Sequence, residues 1–181
     1  MPRPRTAGPR RIVPAGGRPC EPTGACDAGR VTLKHQNDPD LIRELLVDPG
    51  TWAVVGLSPN RDRPAYDVAR WLKMELGKGL IAVHPSAQEV HDSPAYASLA
   101  AIPDGTDLKV VDCFVNSEHV GTVVDEAIEH RDRLQIDAVW MQLDVVDEAA
   151  AHRAREAGLA VVMDTCPRIE WRNVRSAGMA R

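Results

Sequence analysis

Along this chain, apolar runs of four to eight residues alternate with longer segments whose apolar positions recur at helical spacing. Trp52–Val55, Leu80–Val83, Leu108–Val115, Ala138–Met141 and Ala160–Met163 are nearly unbroken apolar runs. Such runs predict five strands buried on both faces. Tyr66–Leu76 predicts a helix with Val68, Trp71, Leu72 and Leu76 on one side and Gly77 as its stop. Asn116 or Ser117 caps a helix predicted to run to about Arg131, with Val120, Val123, Val124, Ala127 and Ile128 inward. Asp147–Ala157 predicts another, stopped by Gly158. Ahead of the first strand, Asp38–Val47 reads as an amphipathic helix. Asp38 is its N-cap, Pro39 lies in the first turn, and Leu41, Ile42 and Leu45 face inward. Val90–Tyr96 is weakly patterned and predicts a short extended excursion, followed by one helical turn at Ser98–Ala101. A polar, fraying tail is expected after Cys166-Pro167.

This alternation predicts an α/β fold: a Rossmann-like, doubly wound domain with a mainly parallel five-stranded sheet and helices on both faces. Its crossovers should be right-handed. Ligands of such sheets bind beyond the carboxyl ends of the strands, near the point where strand order reverses. That rule gathers Gly56 and the loop after it, His84-Pro85, Phe114-Val-Asn116, Trp140-Met-Gln142 and Asp164-Thr-Cys166. The loop from Gly56 to the next helix is the centre of the set. A helix N-terminus presents unpaired N–H groups and partial positive charge, and Arg61 and Arg63 add cations beside it. Gly56 lets a ligand approach the backbone. This is a phosphate-binding arrangement.

Charge is unevenly distributed. The 181 residues carry a formal net charge of -4, yet residues 1–30 hold six Arg against Glu21 and Asp27. The same segment has six Pro, five Gly and no hydrophobic period, so it is predicted to be a disordered basic tail. Residues 31–175 are predicted to form a single domain, and residues 176–181 a frayed C-terminus. An acidic body argues against nucleic acid as a partner. No run approaches the roughly 20 apolar residues of a membrane helix, and the N-terminus lacks the apolar core of a signal peptide. Cys20, Cys26, Cys113 and Cys166 form no C-x-x-C pair. They suit free thiols in the cytoplasm better than a zinc site or a disulfide framework.

A dinucleotide is the first ligand to weigh for such a fold, and the residues speak against it. NAD sites usually place an acid at the end of the second strand, where this chain has Val83-His84-Pro85. The first loop reads Gly56-Leu-Ser58, not G-x-G-x-x-G, and no P-loop is present. An NAD(P)-binding module remains a minor alternative.

The motifs Val54–Tyr66, Val83-His-Pro85, Asp112-Cys-Phe114, Asn116-Ser-Glu118, Ala138–Gln142 and Met163–Glu170 occur in one order. As an ordered set they resemble the small stand-alone CoA-binding proteins, whose domain is similar to the CoA-binding domain of the succinyl-CoA synthetase α subunit. The resemblance covers roughly Thr51 to Trp171. It implies coenzyme A or an acyl-CoA as ligand, bound by a domain that is non-catalytic or regulatory. By the same resemblance Gly56, Ser58, Asn60, Arg61 and Arg63 would cradle the phosphates, with Pro64 beside them. His84 and Pro85 would line the adenosine side, and Phe114, Asn116 and Gln142 would contact nucleotide and pantetheine. The chain departs from the family's usual residues at His84 (commonly Asn), Val115 (often basic) and Asp144 (usually Gly). On this reading, Gly56→Trp or Arg63→Glu should abolish CoA binding and leave the fold intact. A small-molecule nucleotide is thus the expected partner, with no nucleic acid and no membrane; a protein partner or a homo-oligomer stays open.

An enzymatic alternative uses Cys166 as nucleophile on an acyl-CoA or thiol, with His84 or His119 as base. A structural thiol and a ligand-lining imidazole are the favoured readings of those residues. Trp140 is read as core and Cys113 as a small core hydrophobe. No catalytic residue and no metal set is assigned.

Overall fold

The computed structural model describes residues 34–178. The predicted basic tail, residues 1–30, lies outside the described residues. From the N-terminal side the elements are α1 (Pro39–Val47), β1 (Thr51–Val55), α2 (Pro64–Met74), β2 (Gly79–Val83) and β3 (Ala95–Tyr96). A 3₁₀ turn (Leu99–Ala101) leads to β4 (Leu108–Cys113), α3 (Ser117–Glu129), the short α4 (Arg131–Leu134) and β5 (Ala138–Met141). Then come α5 (Glu148–Glu156), β6 (Ala160–Val162) and α6 (Pro167–Gly178).

The strands form one six-stranded sheet in the order β3-β2-β1-β4-β5-β6, and every pairing is parallel. This is the doubly wound Rossmann-like order, with its reversal at β1, whose neighbours are β2 and β4. The sixth strand is β3, a two-residue edge inside the predicted extended excursion. Its pairing with Ala82 and Val83 is too short for periodicity to announce.

Continuous apolar runs let each strand bury both faces. One face, with Ala53, Val111, Cys113, Val139 and Met141, packs against Val120, Val124 and Ala127 of α3 and the alanines of α5. The other, with Trp52, Val54, Val110 and Trp140, packs against α1 and α2 through Ile42, Leu46, Ala65, Val68 and Leu72. Burying each large side chain contributes roughly 1.5–3 kcal/mol. Trp140 is fully buried, as read from the sequence, with its ring centroid 5.6 Å from that of Trp52. Its indole N–H donates to the Thr165 carbonyl at 2.8 Å, so the polar edge of a core side chain is satisfied.

Several expectations need correction. Leu46 joins Ile42 as a buried anchor of α1, while Leu41 and Leu45 are half-buried. α2 begins at Pro64, two residues ahead of the predicted start, because proline is preorganised for the first helical turn. α3 stops at Glu129, and a separate turn, α4, ends at Gln135 in the left-handed region. The largest difference is at the C-terminal side. The segment after Cys166 is the helix α6, not a fraying polar tail. Pro167, Trp171 and Val174 stand at helical spacing, and Trp171 and Val174 pack against the α1–α2 side of the core. Three large apolar residues, Ile169, Trp171 and Val174, in an otherwise polar segment gave a thin signal.

Candidate functional site

The carboxyl ends of β1, β2 and β4 open into a cleft of about 630 Å³. Parallel ladders hold its floor together: Gly56 N–H donates to the Val83 carbonyl at 2.8 Å, and Phe114 N–H to the Val55 carbonyl at 2.8 Å. Gly56 has φ +94°, and a Cβ built on it would stand 2.5 Å from the Phe114 carbonyl oxygen. Only glycine fits here, because its missing side chain admits both that backbone angle and the neighbouring strand. Contrary to the expectation from the sequence, a Gly56→Trp protein cannot keep this fold undisturbed.

The cleft is lined by Gly56, Ser58, Asn60, Arg63, Pro64, His84, Pro85 and Phe114 of the sequence-derived set. Three further members lie elsewhere. Arg61 stands over the Tyr66 ring, 5.8 Å from its centroid. Asn116 caps α3, its Oδ1 accepting the His119 N–H at 3.1 Å. Gln142 is buried, and its Nε2 donates to Asp112 Oδ1 at 2.6 Å. The lining also includes Val55, Ala65, Val83, Ala97, Ser98, Val115 and Glu126. Of these, Glu126 carried no sequence signal, since it lies mid-helix and meets the cleft only through the fold of the β3 edge.

On one side of the cleft stands the N-terminus of α2. Side chains cap α1, α3 and α5, where Asp38, Asn116 and Asp147 each accept a backbone N–H. At α2 the cap residue is Arg63, which makes no such bond, and Asn60 Oδ1 is occupied by the Asp62 N–H at 3.0 Å. A helix start without a side-chain cap, flanked by a guanidinium, favours an anion.

His84 sits half-buried just past the carboxyl end of β2. The Ser86 backbone N–H donates to its Nδ1 at 3.1 Å, and a backbone N–H has no other role in a hydrogen bond. Nδ1 is thus an acceptor, and the neutral ring carries its proton on Nε2. Nε2 is the ring nitrogen left without a hydrogen-bond partner among the described residues.

Asp112, on β4 two residues before Phe114, is fully buried. Burial pushes its carboxyl up to about 7, against the partial opposing effect of the Gln142 bond. The adjacent Cys113 thiol is raised well above its ordinary value by burial and then by Asp112, which keeps it protonated and inert. Cys166 is half-buried against the α1–α2 side of the core, after the edge strand β6, and does not line the cleft. Asp144 adopts φ +64°, a left-handed backbone angle that glycine takes without strain. Among the described residues no group of His, Cys, Asp and Glu could hold a metal ion, and no helix is long and apolar enough to cross a membrane.

A parallel sheet in this order, with a cleft at the reversal point, defines a Rossmann-like α/β domain. The family described as CoA binding domain matches residues 50–172, and the chain belongs to it. The protein is 32% identical over 128 residues to YneT of Bacillus subtilis (strain 168), a match spanning 71% of this chain and 90% of that relative. A hypothetical protein from Pyrococcus horikoshii OT3 shares the fold at TM-score 0.67 and 32% identity, over 76% of this chain and 92% of its own. The dinucleotide forming acetyl-coenzyme A synthetase 1 of Ca. Korarchaeum cryptofilum aligns at TM-score 0.53 and 21% identity. That match spans 65% of this chain and 26% of the synthetase, and it is a likeness of fold.

Proposed function

We propose that the protein binds coenzyme A or an acyl-CoA in the cleft beyond β1, β2 and β4, as a non-catalytic or regulatory module. The observation that carries the site is the start of α2: an anion-favouring helix N-terminus without a side-chain cap, beside Arg63, in a domain of the CoA-binding family. The diphosphate lies against Arg63, Ser58 and the loop after Gly56, and the adenosine lies along His84 and Pro85. Phe114 flanks the nucleotide. Arg61, Asn116 and Gln142 act from outside the lining: Arg61 adds to the positive field, Asn116 orders the start of α3, and Gln142 supports the floor.

The non-catalytic reading is supported by the engaged Nδ1 of His84 and by the position of Cys166 away from the lining. A cytoplasmic location is part of this reading and rests on the free thiols Cys113 and Cys166. Native mass spectrometry of the purified protein, followed by calorimetric titration with CoA, acetyl-CoA and NADH, tests it. A co-purifying CoA species, or micromolar CoA binding without NADH binding, is the expected result. Binding of NADH alone would reject it.

A further inference from the structure

Resting on the reading of the cleft as a CoA-type site, we propose that Glu126 makes it select the form whose ribose hydroxyls are free, dephospho-CoA over CoA. Among the described residues, the ionisable side chains lining the cleft are Arg63, His84 and Glu126. CoA brings two centres of negative charge to them. One is the diphosphate; the other is a 3′-phosphate on the ribose, which is largely dianionic at neutral pH.

Among the described residues Arg63 is the one guanidinium of the lining, and it stands beside the start of α2. That corner is matched to the diphosphate. Among the described residues a second phosphate has no comparable partner, since Arg61 stands over Tyr66 and Val115 is uncharged.

Across the sheet, on the α3 side, the wall carries a carboxylate. Glu126 is fixed there because its Oε1 accepts the Ala100 backbone N–H at 2.9 Å, tying α3 to the 3₁₀ turn after β3. It makes no ion pair among the described residues. A carboxylate held in this way accepts hydrogen bonds from ribose hydroxyls. Dinucleotide sites obtain the same contact from an acid at the end of the second strand. Here the end of β2 supplies His84, and the acid arrives from α3. The Nε2–H of His84 and the hydroxyl of Ser98 are complementary donors on the same lining. A 3′-phosphate in that place meets like charge and loses hydration without a cation to offset it.

Calorimetric titration of the full chain and of Glu126→Gln with CoA and dephospho-CoA tests the assignment. The substituted amide keeps an acceptor for the Ala100 N–H, so the fold should persist; a circular-dichroism melt checks it. The wild-type protein is expected to bind dephospho-CoA about tenfold more tightly than CoA, the size of one unfavourable charge contact. In Glu126→Gln the two affinities should converge, chiefly because CoA binds more tightly. Equal or tighter wild-type binding of CoA overturns the selection, with or without a folded variant. An unchanged ratio in the variant overturns the role of Glu126. If neither form binds, the CoA reading itself falls and this inference with it.

Discussion

Gln142 donates its side-chain N–H to Asp112 at 2.6 Å inside the sheet, and the other Asp112 oxygen has no hydrogen-bond partner. One bond does not offset the loss of hydration of a full carboxylate, so the group prefers to stay protonated, up to about pH 7. In the unfolded chain it ionises near 3.8. Between those values the native state holds a proton that the unfolded state has released. Stability contributed at this position therefore falls as pH rises from about 4 to about 7, then stays level. Asp112→Asn removes the titration while keeping an acceptor for Gln142. Relative to wild type, the variant should gain up to about 4 kcal/mol between pH 4 and pH 8. Urea denaturation at both pH values measures the gain, and an equal difference at each would show that Asp112 does not titrate in that range.

Gly56 and Arg63 lie seven positions apart in one loop, and their variants should fail in different ways. Gly56→Ala places a Cβ 2.5 Å from a backbone oxygen at φ +94°, so β1 or β4 must shift. Its cost is expected at about 2–4 kcal/mol of stability. Arg63 is exposed, and Arg63→Glu should melt within a few degrees of wild type. CoA affinity should fall roughly a hundredfold, the size of one lost charge-assisted contact. Thermal melts beside titrations separate the two. A Gly56→Ala protein of normal stability would contradict the close approach, and undiminished CoA binding by Arg63→Glu would remove the α2 start from the site.

Lys78 is a third position where a single side chain has an assigned task. It is 3% exposed, and its Nζ donates to the carbonyls of Leu45 and Asp48 at the end of α1. Helix C-termini leave carbonyls without partners, and a cation there satisfies them and meets the helix dipole. Lys78→Met keeps the stem and strands both carbonyls, at a cost of about 2–3 kcal/mol. Hydrogen exchange should place the loss in the last turn of α1. Uniform loosening of the whole domain would argue that Lys78 acts through packing against Trp52 instead.

The parallel core was legible because strands buried on both faces are written as unbroken apolar runs, as in Leu80–Val83 and Ala138–Met141. Caps were legible too, since Asp38 and Asn116 do their work within three residues of themselves. Within the site, residues adjacent to a strand end, such as Gly56, His84 and Phe114, followed from the topology alone. What depends on contacts far apart in sequence did not. Gln142 stands at a strand end like the others, yet its partner Asp112 turns it into the core. Glu126 reaches the cleft because a two-residue strand and a 3₁₀ turn bring Ala100 to it. Neither pairing leaves a local pattern.

The same limit hid α6, and its role in stability can be tested at two side chains of one helix. Trp171 is half-buried against the α1–α2 side of the core, whereas Ile169 is 45% exposed. Both are large and apolar, so composition alone ranks them alike. Packing does not. Removing an indole that covers the core exposes apolar surface and leaves a void, which for a half-buried site costs about 2 kcal/mol. Removing a side chain already in water changes stability by no more than about 0.5 kcal/mol. Trp171→Ala should therefore lower the urea midpoint at an unchanged slope, and Ile169→Ala should leave it in place. Equal midpoints in the two variants would mean that α6 does not cover the core and that the sheet is stable without it. A larger effect at Ile169 would mean instead that the exposed face of α6 is covered by a partner in solution.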